Sequence, residues 1–252
     1  MTFSQTPRKF ESQARDAARP LVPFLTHRSK RVRIDTARAL AQLPAQIRDD
    51  IVTGQKKTDF EEATRELIDS LMLSAENAGS HVMLGQLHEQ LGASELAVAD
   101  YRNAIRISPN MTGPRSNLAA LLEIKLQQLS RAQPTPAIQQ QAQRLSQQIE
   151  TLREQDHELL AIDVERAADL PNADSLHYRF AMSSYLQGDI ENAEKYMLMA
   201  YEGQPATTTY AIGLATLYIQ QRRFKEAKRF VDHLIEIDPN HPTHVALQKQ
   251  LK

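Results

Sequence analysis

The chain of 252 residues is 41% hydrophobic and 24% charged, with eight glycines, no tryptophan and no cysteine. That balance suits a chain able to bury an extended core, and the missing thiols exclude disulfides, thiolate metal sites, cysteine nucleophiles and covalent CxxCH haem attachment. The net charge of −1 is uneven: residues 1–40 hold nine Lys/Arg and three Asp/Glu (9 − 3 = +6), which leaves −7 on the remainder (−1 − 6 = −7).

No apolar run approaches the roughly 18–20 residues that span a bilayer, and the first residues lack the apolar core of a signal peptide. Neither membrane insertion nor export is expected. The compartment is then cytoplasmic by default, or periplasmic if the chain is the tail of a longer exported protein. Residues 21–44 read as the end of one helix, a turn, and a second amphipathic helix closed by Pro44, with Val32, Thr36, Ala39, Leu40 and Leu43 on one face. The basic residues Arg28, Lys30, Arg31, Arg33 and Arg38 fall in this stretch. Such an end can attract an acidic partner or nucleic acid; with no aromatic residue beside it for base stacking, a solvated helix face is expected and nucleic-acid binding is not.

Residues 45–77 predict one poorly marked helix and then a second, with Phe60, Ala63, Leu67 and Leu71 at helical spacing and Thr58 near its start. The clearest unit is 78–111: Leu84 and Gly85, then Gly92 at a turn, then Ala97, Tyr101, Ala104 and Pro109. Gly85 and Ala97 have almost no side chain, so two helices can interlock there while Tyr101 fills the space one turn later. The pattern returns at 174–207 through Phe180, Ala181, Gly188, Ala193, Ala200 and Pro205, and at 208–241 through Leu214, Ala215, Tyr218, Phe224, Ala227 and Pro239. Pro171, Pro205 and Pro239 stand 34 residues apart. A period of 34 with these residues resembles the tetratricopeptide repeat, a stacked helix–turn–helix unit, and "VRIDTARALAQLP" resembles half of a HEAT repeat.

One interval breaks the rule, because Pro109 and Pro171 are 62 residues apart. A first helix through Leu118, Leu122, Leu126 and Leu129 breaks at "AQPTPA", and a Gln-rich helix follows from about Ala137 to Ala168. Its Ile138, Ala142, Leu145, Ile149, Leu152 and Leu159 keep a 4–3–4–3 seam broken at Asp156. Two readings stand: the two helices pair as a projecting antiparallel hairpin, or the seam serves dimerisation or a partner.

The chain is therefore expected to be all-α, a right-handed α-solenoid: HEAT-like helices at 1–44, repeats at 45–111 with the first degenerate, an expanded repeat at 112–173, two repeats at 174–241, and a capping helix at 242–252. The order of elements over about residues 21–240 resembles the C-terminal repeat region of bacterial multihaem cytochrome c family proteins. Without cysteine no haem carries over, so the resemblance implies a haem-free relative or the tail of a longer chain, with a redox-protein partner.

No phosphate loop, nucleophile elbow or HExxH motif is present, so no catalytic residue, cofactor or metal is assigned and the chain is not expected to be an enzyme. His81 and His88 share a helix face, but no carboxylate or cysteine in the pattern completes a ligand set. The resemblance implies a concave groove lined by the first helix of each unit. Val82 and Gln86 replace the Lys and Asn with which some relatives grip a terminal carboxylate. Asn117 falls where relatives hold peptide backbone, though it also reads as a helix-surface residue. Tyr178, Arg179, Met182, Tyr185 and Tyr210 cluster toward the groove, a set suited to binding by contact area and pliability; core packing explains Tyr185 and Tyr210 equally well. The expected function is a non-catalytic scaffold for a protein or peptide, with an accessory module of a multihaem redox system, or a self-assembling structural protein acting through 112–173, as alternatives.

Overall fold

The computed structural model describes residue 12, residues 14–167, residue 170 and residues 172–251. Among these there is no strand, and the chain divides into two compact units that meet in sequence at Ile149 and Glu150. The chain is all-α, and within each unit helices stack in the manner of a solenoid. Pro171, one of the three evenly spaced prolines, and Ala168, the expected end of the Gln-rich helix, lie outside the described residues, as do residues 1–11 of the basic terminus.

In the first unit a 3₁₀ segment, Arg19–Thr26, precedes α1 (Lys30–Ala41). The expected first α-helix is 3₁₀ because Pro20 and Pro23 remove two backbone donors and clash with the preceding turn. After the seven-residue α2 (Ala45–Ile51) comes α3 (Gln55–Met72). It starts three residues before Thr58, because Gly54 takes φ +56° and turns the chain directly into the helix. α1 and the 3₁₀ segment pack on α3, and one core runs through Leu25, Ala37, Leu40, Phe60, Ala63 and Leu67 to Leu87. The buried face of α1 is Thr36, Ala37, Leu40 and Ala41; Val32, Ala39 and Leu43 are only half-buried. Small residues win the face because α1 closes against two neighbours at once. Arg33 clamps it, donating through Nε and Nη2 to Glu66 at 2.9 and 2.5 Å and through Nη1 to the His27 carbonyl at 2.8 Å.

α4 (Ala78–Gln90) and α5 (Ser94–Ile107) form the unit read most clearly from sequence. Asn77 caps α4 by accepting from the Gly79 amide at 2.8 Å, and Gly92 makes the turn at φ +76°. A Cβ on Gly85 would lie 2.6 Å from the Tyr101 ring, and Ala97, Tyr101 and Ala104 are fully buried. α6 (Pro114–Ser130) packs on α5.

α7 (Pro136–Arg166) is one uninterrupted helix of 31 residues, about 46 Å at 1.5 Å per residue. Thr135 starts it by accepting from the Ile138 amide at 3.2 Å. Its buried stripe differs from the expected seam. Ile149, Leu152, Asp156, Leu160, Val164 and Ala167 are buried, whereas Leu159 is half-buried. A straight helix repeats every 3.6 residues, so a contact line drifts off a 3.5-residue seam, carrying it through Asp156 and on to Leu160.

In the second unit α8 (Asp174–Leu186) pairs with α9 (Ile190–Gly203), and α10 (Thr208–Gln220) with α11 (Phe224–Ile237), before α12 (Pro242–Gln250). Leu160 and Val164 of α7 pack on Phe180, which meets Tyr196 edge-on at 4.8 Å. The core of the two later pairs holds Ala181, Met197, Ala211, Leu214, Ala227, Phe230 and Leu234. Phe224, one of the residues of the repeat pattern, is 44% exposed: it opens α11 just past the turn, and Phe230 and Val231 fill the interior.

Candidate functional site

The first helices of the two regular pairs, α8 and α10, face one another in the second unit. The repeat sets the pairing: Tyr178 meets Gly213 and Tyr185 meets Gln220, each 35 positions on. Gly213 sits mid-helix, where glycine costs about 1 kcal/mol relative to alanine. The cost has a geometric return, since a Cβ there would stand 2.9 Å from Met197 Sδ and 3.1 Å from the Tyr178 ring. The missing side chain lets Tyr178 and Met197 close on α10, and Gly213 lines a pocket of about 200 Å³ between the helices.

Its walls are Tyr178, Met182 and Tyr185 from α8 and Ile212, Thr216 and Leu217 from α10, with Met197 reaching in from α9. No lining residue carries a charge. Burial of Tyr178, followed by the neighbouring Tyr210, pushes the Tyr178 phenol above its ordinary value, so it stays a neutral hydroxyl. The two rings pack at 4.9 Å. At the rim Tyr185 donates its hydroxyl to the Gln220 side-chain carbonyl, which leaves the Gln220 amide nitrogen free of that bond. Thr216 is tied back to its own helix, donating to the Ile212 carbonyl at 2.8 Å.

Of the residues singled out from sequence, Tyr178, Met182 and Tyr185 come together on the pocket wall. Tyr210 is buried behind Tyr178, and Arg179 points to solvent from α8 without lining the pocket. Asn117 lies in the other unit, half-buried on α6, with its side chain hydrogen-bonded to the Tyr101 hydroxyl. Met197, Ile212, Gly213, Thr216, Leu217 and Gln220 complete the pocket and were not anticipated. The one signal among them was Gly213, a glycine inside a helical pattern.

The pocket is held from the side by a polar cluster joining α9 to the next pair. Glu194 receives Nη1 and Nη2 of Arg223 at 2.5 and 3.0 Å and the Tyr218 hydroxyl at 2.9 Å. The Arg223 hydrogen bonds hold the Glu194 carboxyl below the usual carboxylate range, while burial, then Glu194, pushes the Tyr218 phenol up to about 12. In the first unit Asp100 Oδ1 and Oδ2 take Nδ1 of His81 and of His88 at 3.1 and 2.7 Å. A carboxylate does therefore meet both histidines, contrary to the sequence expectation, because α5 lays Asp100 against the face of α4 that carries them. It engages both rings itself, and no group of three such side chains among the described residues could hold a metal ion.

Residues 78–111 and residues 184–251 each match a tetratricopeptide repeat family model. No curated protein matches the chain. Among solved structures, TTC0263, a tetratricopeptide repeat protein of Thermus thermophilus, is 21% identical over 86% of this chain and 98% of its own, with a TM-score of 0.54. PilF of Pseudomonas aeruginosa is 15% identical over 95% and 92%, at 0.46. BtubC of P. vanneervenii is 17% identical over 97% and 93%, at 0.42.

Proposed function

We propose that this repeat-bearing chain is a non-catalytic scaffold that binds a protein or peptide along the concave face of its second unit, with the α8–α10 pocket receiving one apolar side chain of the partner. The observation that carries this reading is the uncharged pocket between α8 and α10. Small-molecule sites occupy roughly 300–1,000 Å³. At about 200 Å³ this one is smaller, of a size for a single large side chain, and its Tyr and Met walls are residue types that anchor protein contacts. The Gln220 amide at the rim is placed to donate to a backbone carbonyl of the same segment. Tetratricopeptide repeats commonly mediate protein–protein contact, which accords with this role.

Panning a random peptide library on the full chain tests the reading. Enriched peptides should share an apolar anchor, and Met182→Ala and Tyr185→Ala should each weaken them about tenfold or more with helicity by circular dichroism unchanged. Absence of enrichment, or affinity unchanged from the parent chain in both variants, would overturn it. Arg179, which does not line the pocket, should matter less than either.

Two further roles rest on narrower observations. The order of a HEAT-like segment before tetratricopeptide repeats supports an accessory module of a multihaem redox system with a redox-protein partner; neither the matched families nor the neighbouring folds add to it, and CxxCH codons in frame upstream or in an adjacent gene would. The half-buried Ile138, Ala142, Leu145, Leu126 and Leu129 support self-assembly through the α6–α7 region. A monomer by light scattering would end that role.

A further inference from the structure

The basic stretch of α1 has no place in the α8–α10 pocket, and it borders a different feature. In the first unit a small pocket of about 70 Å³ lies among α1, α3 and α4. Its polar lining is Arg38, Gln42, Gln86 and Gln90; its apolar lining includes Leu71 and Met83. No carboxylate lines it. Arg38 makes one marginal contact, Nη1 to Asp35 on its own helix at 3.5 Å, and its Nε and second terminal nitrogen have no partner among the described residues. The side-chain amides of Gln42, Gln86 and Gln90 are exposed and likewise have none. The lining is apolar as well as basic, and Met83 is 43% exposed. One heptad before Arg38, Arg31 stands 91% exposed on the same face of α1.

We propose that this face of the first unit is a second docking site, independent of the pocket in the second unit, and that its occupant is an acidic amphipathic helix of a partner protein. A carboxylate of that helix meets the free fork of Arg38 and the glutamine amides, while its apolar side chains cover Met83 and Leu71. Charge complementarity selects the occupant: on α1 the four cations Lys30, Arg31, Arg33 and Arg38 face one carboxylate, Asp35, which Arg31 and Arg38 share at 3.8 and 3.5 Å, while Arg33 is committed to Glu66, so positive charge remains in excess on this face. Nucleic acid fits less well, because the lining beside Arg38 is Gln, Met and Leu and holds no aromatic ring on which a base could stack. Arginine suits the role through its planar donor fork, which matches a carboxylate in a way a lysine cannot.

Fluorescence anisotropy with the full chain tests the site, using three labelled probes: a synthetic helical peptide with Leu at helical spacing and Glu flanking it, the same peptide with Gln for Glu, and a single-stranded oligothymidine. The acidic peptide should bind, with the Gln peptide and the oligonucleotide about tenfold weaker or more, and Arg38→Ala should cost about tenfold, the scale of one charge-assisted hydrogen bond. Met83→Ser should weaken binding as well. Lys228→Ala, which removes one positive charge from the exposed side of α11, should leave affinity unchanged. The proposal falls if the acidic peptide does not bind, if the Gln peptide or the oligonucleotide binds as tightly, if Arg38→Ala has no effect, or if Lys228→Ala weakens binding as much as Arg38→Ala.

Discussion

Three turn residues show how the same repeat solves one problem in different ways. The turn between paired helices needs a left-handed residue, and Gly92 and Gly188 supply it at φ +76° and +81°. In the last pair, 34 residues after Gly188, the position is Arg222 at φ +59°. A side chain there costs roughly 1–2 kcal/mol, partly offset because glycine is freer when unfolded. Arg222→Gly should therefore stabilise the chain by about 1 kcal/mol and raise the melting temperature by about 2–4 °C, read by thermal circular dichroism. Gly85 is the opposite case. Alanine is the better helix former, yet its Cβ would strike the Tyr101 ring, whose hydroxyl is held by Glu89 at 3.0 Å. Gly85→Ala should destabilise by about 1–3 kcal/mol, and a neutral or stabilising result in urea titration would show that Tyr101 can move.

Among the elements, α7 is rich in strong helix formers and is anchored chiefly near its C-terminal end. Its buried stripe ends in Leu160 and Val164 against Phe180, and beside them His157 stacks on Phe180 at 5.0 Å and bonds to Ser183 Oγ at 3.1 Å. Leu160→Ala should cost about 2–5 kcal/mol, and hydrogen exchange should then rise at the C-terminal end of α7 and in α8 together. The drift of that stripe from the seam expected in the sequence has a plain cause. Spacing of apolar residues marks a helix and its wetter side, but whether the contact line follows 3.5 or 3.6 residues per turn depends on whether a partner helix supercoils with it. The burial of Asp156 was illegible for the same reason: a carboxylate in an apolar register reads as a break until its surroundings are known.

At the scale of the molecule, stability is tied to pH at both ends. Glu66, Asp189, Glu194 and Glu226 have carboxyls held below their usual range, by hydrogen bonds from Arg33, Asn192, Arg223 and Arg223 respectively. A lowered folded value means the unfolded chain binds protons first as pH falls. The stabilisation is full above about pH 5 and is lost as pH drops through the folded values. Glu194→Gln should flatten the acid side of the profile of denaturation midpoint against pH. Tyr218 works at the other end: its folded value of about 12, above the unfolded 10, gives stability that is full below pH 10 and lost as pH rises to about 12. Phenolate absorbance should show this residue ionising late or together with unfolding, and Tyr218→Phe should remove its share of the slope.

The sequence by itself determined the repeat: its 34-residue period, the small residues at Gly85, Ala97, Ala181, Ala193 and Ala227 where helices interlock, and the long helix in the irregular interval. These are local or strictly periodic needs, for closeness, for a turn, for an apolar face, and each leaves a mark at a fixed position. Tertiary structure decided which side chains meet across helices. It placed Asp100 between His81 and His88, turned Tyr210 behind Tyr178, left Arg179 in solvent, and closed Tyr178 and Met197 on an unremarked Gly213 at the pocket wall. Such meetings depend on the rotation of one helix against another by a fraction of a turn, a quantity set by the packing of the whole face and written at no single residue.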